Sequence, residues 1–183
     1  MIRIIAAFFL CLISVNAQVS GLQLSIGTEQ ISPGIEGLPR TMTVIALTIT
    51  NPGDSPQSLI VGADYNNADH WDVSINLMNR DGKIVALSRV PRMVHITGYV
   101  GNVVIEVPAH GSYRTLLDAR DFEEVINGGS TNLAGVISAP GQQLQIVLHC
   151  GAHFVPGVAV DPKTWKGDLV SGWLKSESPN PKR

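Results

Sequence analysis

The side chains best suited to chemistry stand in His149-Cys150-Gly151-Ala152-His153. A thiolate and an imidazole held two residues apart at a strand end offer the soft ligation that copper takes. His110 or His95 would supply a second imidazole, which makes Cys150, His153 and His110 the candidate metal ligands and copper the alternative cofactor. Such sites add a weak axial Met. Val155, Pro156, Gly157 and Val158 occupy the place where it would be sought. Alternation adds a constraint, because neighbouring side chains of a strand face opposite sides. Cys150 shares a face with Leu144, Ile146 and Leu148, and His149 takes the other. The pattern therefore expects a core thiol and no cofactor, cysteine being among the most buried residue types.

Other constellations are less specific. Asp64-Tyr65-Asn66-Asn67-Ala68-Asp69-His70 is an oxygen-rich loop in which Asp64, Asn66 and Asp69 offer three oxygens to a calcium ion, although calcium takes six to eight. Ala68 and the missing glycine exclude an EF-hand, and solvated turn residues account for the same composition. Neither a G-x-S-x-G elbow nor an H-E-x-x-H helix occurs. Ser, His and Asp are present, but geometry rather than presence defines a triad. Glu123 and Glu124 sit side by side and diverge on a helix. Trp165 and Trp173 are the candidate binding residues, since an exposed indole stacks on a sugar ring or a partner's side chain.

The elements that must carry these residues are strands. Trp71, Val73, Ile75 and Leu77 alternate with Asp72, Ser74 and Asn76, so one face is buried and the other wet. Ile45-Leu47-Ile49, Val103-Ile105-Val107 and Leu144-Ile146-Leu148-Cys150 repeat the pattern. Less regular candidates lie at Leu22–Ile26, Ser58–Val61, Ile84–Leu87, Tyr113–Leu117 and Leu169–Leu174. Asn51-Pro52-Gly53-Asp54 ends one run, Arg80-Asp81-Gly82 makes a hairpin, Pro108 and Gly111 bracket a turn, and Pro140-Gly141 opens the strand to Cys150. One segment reads as helix: Phe122, Val125 and Ile126 share a face, with Asp118 as N-cap and Gly128 as stop. Eight or nine short strands with turns between them predict an all-β, two-sheet antiparallel sandwich with one short helix.

Thr48-Ile49-Thr50-Asn51-Pro52-Gly53-Asp54-Ser55-Pro56 resembles the strand–Asn–Gly–Asp–strand turn of bacterial Ig-like domains. That family includes adhesion-related modules and the Ig-like domain of a bacterial intracellular proteinase inhibitor. Val107-Pro108-Ala109-His110-Gly111-Ser112 is similar to its Pro-x-Gly-Ser lead-in to a middle strand, and Pro140-Gly141 to its lead-in to a late one. The resemblance spans roughly Thr41 to Lys175. It implies an Ig-like sandwich and brings no catalytic residues with it. The Cys150–His153 spacing resembles the copper loop of cupredoxins, which are also β-sandwiches.

Composition bounds the rest. Arg3, the apolar run Ile4–Ile13 and the small residues Val15 and Ala17 form a secretory signal peptide over Met1–Ala17, cleaved before Gln18. The run is shorter than the roughly 20 residues a membrane span needs. Cleavage removes Cys11 and leaves Cys150 as the sole cysteine, so no internal disulfide forms. A formal charge of −2 without a basic block argues against nucleic acid. The expected organisation is a signal peptide (1–17), one Ig-like domain (18–175) and a Pro-containing disordered tail (176–183). The expected function is non-catalytic: an exported module, periplasmic or extracellular, that binds a protein or glycan partner through sheet faces or end loops. The alternatives are a cupredoxin-like copper protein, or an inhibitor presenting a long loop such as Arg89–Asn102 or Phe154–Thr164.

Overall fold

The computed structural model describes residues 21–32, 42–65, 68–89, 100–118, 122–126, 129–133, 141–152, 155 and 157–175. The expected signal peptide and tail, His95 and His153 lie outside them. The described residues are all-β, in antiparallel sheets with essentially no helix, consistent with a β-sandwich.

Among the described residues thirteen strands form, where eight or nine were expected. In chain order they are β1 (Gln23–Ile31), β2 (Met42–Asn51), β3 (Gln57–Tyr65), β4 (Ala68–Trp71), β5 (Val73–Met78), β6 (Ile84–Arg89) and β7 (Val100–Val107). There follow β8 (Gly111–Asp118), β9 (Phe122–Ile126), β10 (Gly129–Asn132), β11 (Gln143–Cys150), β12 (Gly167–Val170) and β13 (Leu174–Lys175). Hydrogen bonding divides them into three sheets rather than two: β1-β2-β8, β4-β3-β7, and β10-β9-β6-β5-β11-β12 with β13 also on β11.

The third sheet arises at Asp72. The run Ala68–Met78 reads as one alternating strand, yet it changes partners there, with β4 pairing β3 and β5 pairing β6 and β11. Asp72 is bonded on both sides: its amide donates to Val61 O at 2.7 Å, and its carbonyl accepts from the His149 amide at 2.9 Å. A strand that switches sheets makes a corner between them. The register of β3 on β7 also shifts between Ile60 and Gly62. Only glycine fits at this bulge, because a Cβ on residue 62 would lie 1.9 Å from His70 O.

Inward residues of all three sheets form one core. Ile45, Leu47, Ile49, Leu59, Ile75, Leu87, Ile146 and Leu148 are almost fully buried in it. Trp71 of β4 stacks on Tyr113 of β8, with ring centroids 6.0 Å apart, where the first two sheets meet. The Arg80-Asp81-Gly82 hairpin forms as expected: Gly82 takes φ 76°, and Asn79 Oδ1 accepts from the amides of Asp81 and Lys83. The expected helix does not form. Residues 122–126 are strand β9, pairing with β6 through Ser88–Glu123 and Arg89–Phe122 and with β10 by hairpin. A helix this short fixes many dihedrals for few hydrogen bonds. Sheet pairing satisfies the same backbone while carrying Phe122 into the core.

Candidate functional site

The outer face of the β6-β5-β11-β12 sheet follows from pairing alone. Core residues Val73, Ile75 and Leu77 point inward, so Ser74, Asn76 and Met78 point outward. Their direct partners are Val147, Gln145 and Gln143 on β11, and Ser88, Ala86 and Ile84 on β6. Val147 in turn faces Val170, and His149 faces Asp168. The resulting platform has an uncharged centre of amides, hydroxyls and small apolar groups. Ile84 is 55% and Val170 53% exposed.

Its polar groups are tied to one another. Asn76 Nδ2 donates to Gln145 Oε1 at 3.2 Å, and Gln145 Nε2 donates to Ser171 O at 3.2 Å. Ser74 Oγ lies 2.9 Å from His149 Nε2, and His149 Nδ1 lies 2.9 Å from Asp168 Oδ1. In the neutral tautomer whose Nδ1–H donates to Asp168, Nε2 accepts a hydrogen bond from the Ser74 hydroxyl. The His149 side chain is 30% exposed and that of Asp168 58%. Alternation alone had separated His149 from Cys150. The Ser74–His149–Asp168 chain depends on the registers of β5, β11 and β12, which no local pattern encodes. The outer face of β1-β2-β8 is different in kind, for Glu29 and Arg114 form an ion pair across it.

Cys150 ends β11 on the core side and is a buried free thiol. Burial pushes it up to about 12, with the nearby carboxylates of Asp168 and Asp72 adding to the effect. At neutral pH the thiol therefore holds its proton and is a poor nucleophile. His110 closes the β7–β8 turn instead: it takes φ 53°, its amide donates to Gly53 O, and Nε2 stands 3.0 Å from Asp54 Oδ1. Among the described residues no group of three or more His, Cys, Asp or Glu side chains stands together for a metal ion.

Asp64 and Asp69, expected in a loop, are direct partners across the β3–β4 hairpin, because β-pairing extends to Tyr65–Ala68. Asn66 lies outside the described residues. Trp165 packs against the core, and its amide donates to Ser58 O at 2.9 Å. Trp173 is half-buried. The described part of the long loop before Trp165 lies back on the β3–β7 sheet, with the Val155 amide donating to Asn102 Oδ1 at 3.0 Å. Between loop and sheet is a recess of about 330 Å³ lined by Ile60, Asn102, Val104, Val158, Val160 and Asp161 among others.

No protein-family model and no curated protein matches this chain. No helix among the described residues is long and apolar enough to cross a membrane.

Proposed function

We propose that this protein is an exported, non-catalytic Ig-like module that binds a partner protein through the outer face of the β6-β5-β11-β12 sheet. One observation carries the reading: the centre of that face is uncharged, and Ile84 and Val170 stand more than half exposed on it. Depletion of charge at the centre marks a surface made for protein contact. The amides and hydroxyls between the two apolar residues already bond to one another, so docking orders few side chains and strips few polar groups. Export rests on the Met1–Ala17 pattern, and the Ig-like type on the turn motifs at Asn51 and Pro108. A protein partner is favoured over a glycan because Trp165 packs against the core.

The test compares point variants in envelope extracts of the native cells. Ile84→Lys and Val170→Lys, at unchanged melting temperature, shift the protein from a larger assembly to its own size on gel filtration. Leu116→Lys, an exposed position on the β1-β2-β8 sheet, leaves the assembly intact. If all three behave alike, the reading is wrong.

A further inference from the structure

One row of the same face has the geometry of a reactive centre. Ser74, His149 and Asp168 come from the adjacent strands β5, β11 and β12, and they stand in the order hydroxyl, base and orienting carboxylate. Asp168 Oδ1, 2.9 Å from Nδ1, holds the imidazole in the tautomer whose Nε2 lone pair faces Ser74 Oγ, also at 2.9 Å. A serine hydroxyl is a weak nucleophile until a base removes its proton during attack. Here the base and the group that orients it stand in line. Ladder pairing fixes the arrangement, because His149 is directly opposite Asp168 and its amide is bonded to Asp72 O. Ser74 faces Val147, which faces Val170, so an apolar shelf suited to a short aliphatic chain runs beside the hydroxyl.

We infer that Ser74 is an acyl acceptor for short-chain activated esters. The Ser74 Oγ–C bond forms as the bond from the acyl carbon to the leaving oxygen breaks. The hydroxyl proton passes to His149 Nε2 and then to the departing alkoxide. Ser74 is the nucleophile, His149 the base and Asp168 a positioning residue. One acylation per chain is compatible with the binding reading and does not depend on it.

The test treats the full chain with p-nitrophenyl acetate and, separately, with a fluorophosphonate whose P–F bond is replaced by P–Oγ with loss of fluoride. Peptide mass spectrometry locates the adduct. The expected result is one adduct per chain on Ser74, with release of one equivalent of p-nitrophenolate. In His149→Ala the rate drops by about 100-fold. Asp168→Asn slows labelling and moves the His149 proton to Nε2, read from imidazole ¹⁵N shifts, and Asp168→Glu restores both. Continued turnover dependent on Ser74 would uphold the acceptor and overturn only the non-catalytic half of the binding reading. The inference fails if Ser74 carries no adduct, or if a His149→Ala protein of wild-type melting temperature labels equally fast. Should that variant not fold, equal labelling of Ser74 and exposed Ser112 in the wild-type chain is the contradicting result. Loss of the adduct with face-dependent assembly intact overturns this inference alone.

Discussion

The side-chain amide of Asn51 donates to the main-chain carbonyl of Val107 at 3.1 Å, joining two turns that are 56 residues apart in sequence. The same nitrogen donates to Ser55 O at 2.8 Å, and Asn51 Oδ1 accepts from the Gly53 amide at 3.0 Å. Asn51 is 2% exposed and its bond to Val107 O is buried, so that carbonyl has no water to turn to if the side chain is removed. Asn51→Ala should lose about 1–3 kcal/mol of stability, read by urea unfolding. Asn51→Asp should also destabilise, since its carboxylate would face two carbonyls with no proton to donate. Wild-type stability in either variant would show that the two turns are not coupled through this residue.

Gly62 sets the bulge beside the Asp72 corner. A methyl group there meets the His70 carbonyl at 1.9 Å and the Trp71 Cα at 2.9 Å, both of them backbone. Gly62→Ala should therefore disrupt β3–β4 pairing and lower the melting temperature by many degrees, or abolish soluble expression. Gly27→Ala is the control, because no atom stands within 4 Å of its added carbon. A Gly62→Ala protein as stable as the Gly27→Ala protein would contradict the bulge.

Much of this was legible from residue order, because alternation is a local signal. The faces of β2, β5, β7 and β11 follow from their own side chains, and the Asn51 and Arg80-Asp81-Gly82 turns from glycine and asparagine chemistry. Partner choice was not legible. Asp72 breaks one apparent strand between two sheets only because Val61 and His149 stand on either side of it. Phe122 with Val125 and Ile126 fits a helical period as well as a strand, and pairing with β6 decides between them. Ser74, His149 and Asp168 are unremarkable in sequence, since only register brings them into line.

Phe122 tests how firmly β9 is anchored in the core. It is 1% exposed and packed in the common core. Phe122→Ala should cost about 3–5 kcal/mol, measured by chemical denaturation. A loss of less than about 1 kcal/mol would place the side chain at the surface instead.

Cys150 should be inert in the folded chain. Its thiol is pushed up to about 12 from an ordinary 9.0, which leaves roughly a thousandfold less thiolate at neutral pH. Iodoacetamide should modify it slowly in buffer and rapidly in denaturant. The folded value lies above the unfolded one, so the thiol's contribution to stability is complete below the unfolded value of about 9. It is lost as pH climbs from there toward 12. Cys150→Ala should flatten that alkaline decline. Fast alkylation of the native protein would contradict a core position.

The binding face is tested most directly by photocrosslinking in the native cells. A photoreactive amino acid replaces Ala86, beside Asn76 on the β6-β5-β11-β12 sheet, and in a second variant replaces Ser112 on the β1-β2-β8 sheet. The predicted result is a discrete protein adduct from residue 86, lost when Ile84→Lys is added, and none from residue 112. An adduct of twice the chain's mass would identify the partner as a second copy. No adduct from residue 86, or the same adducts from both positions, would contradict the proposed face.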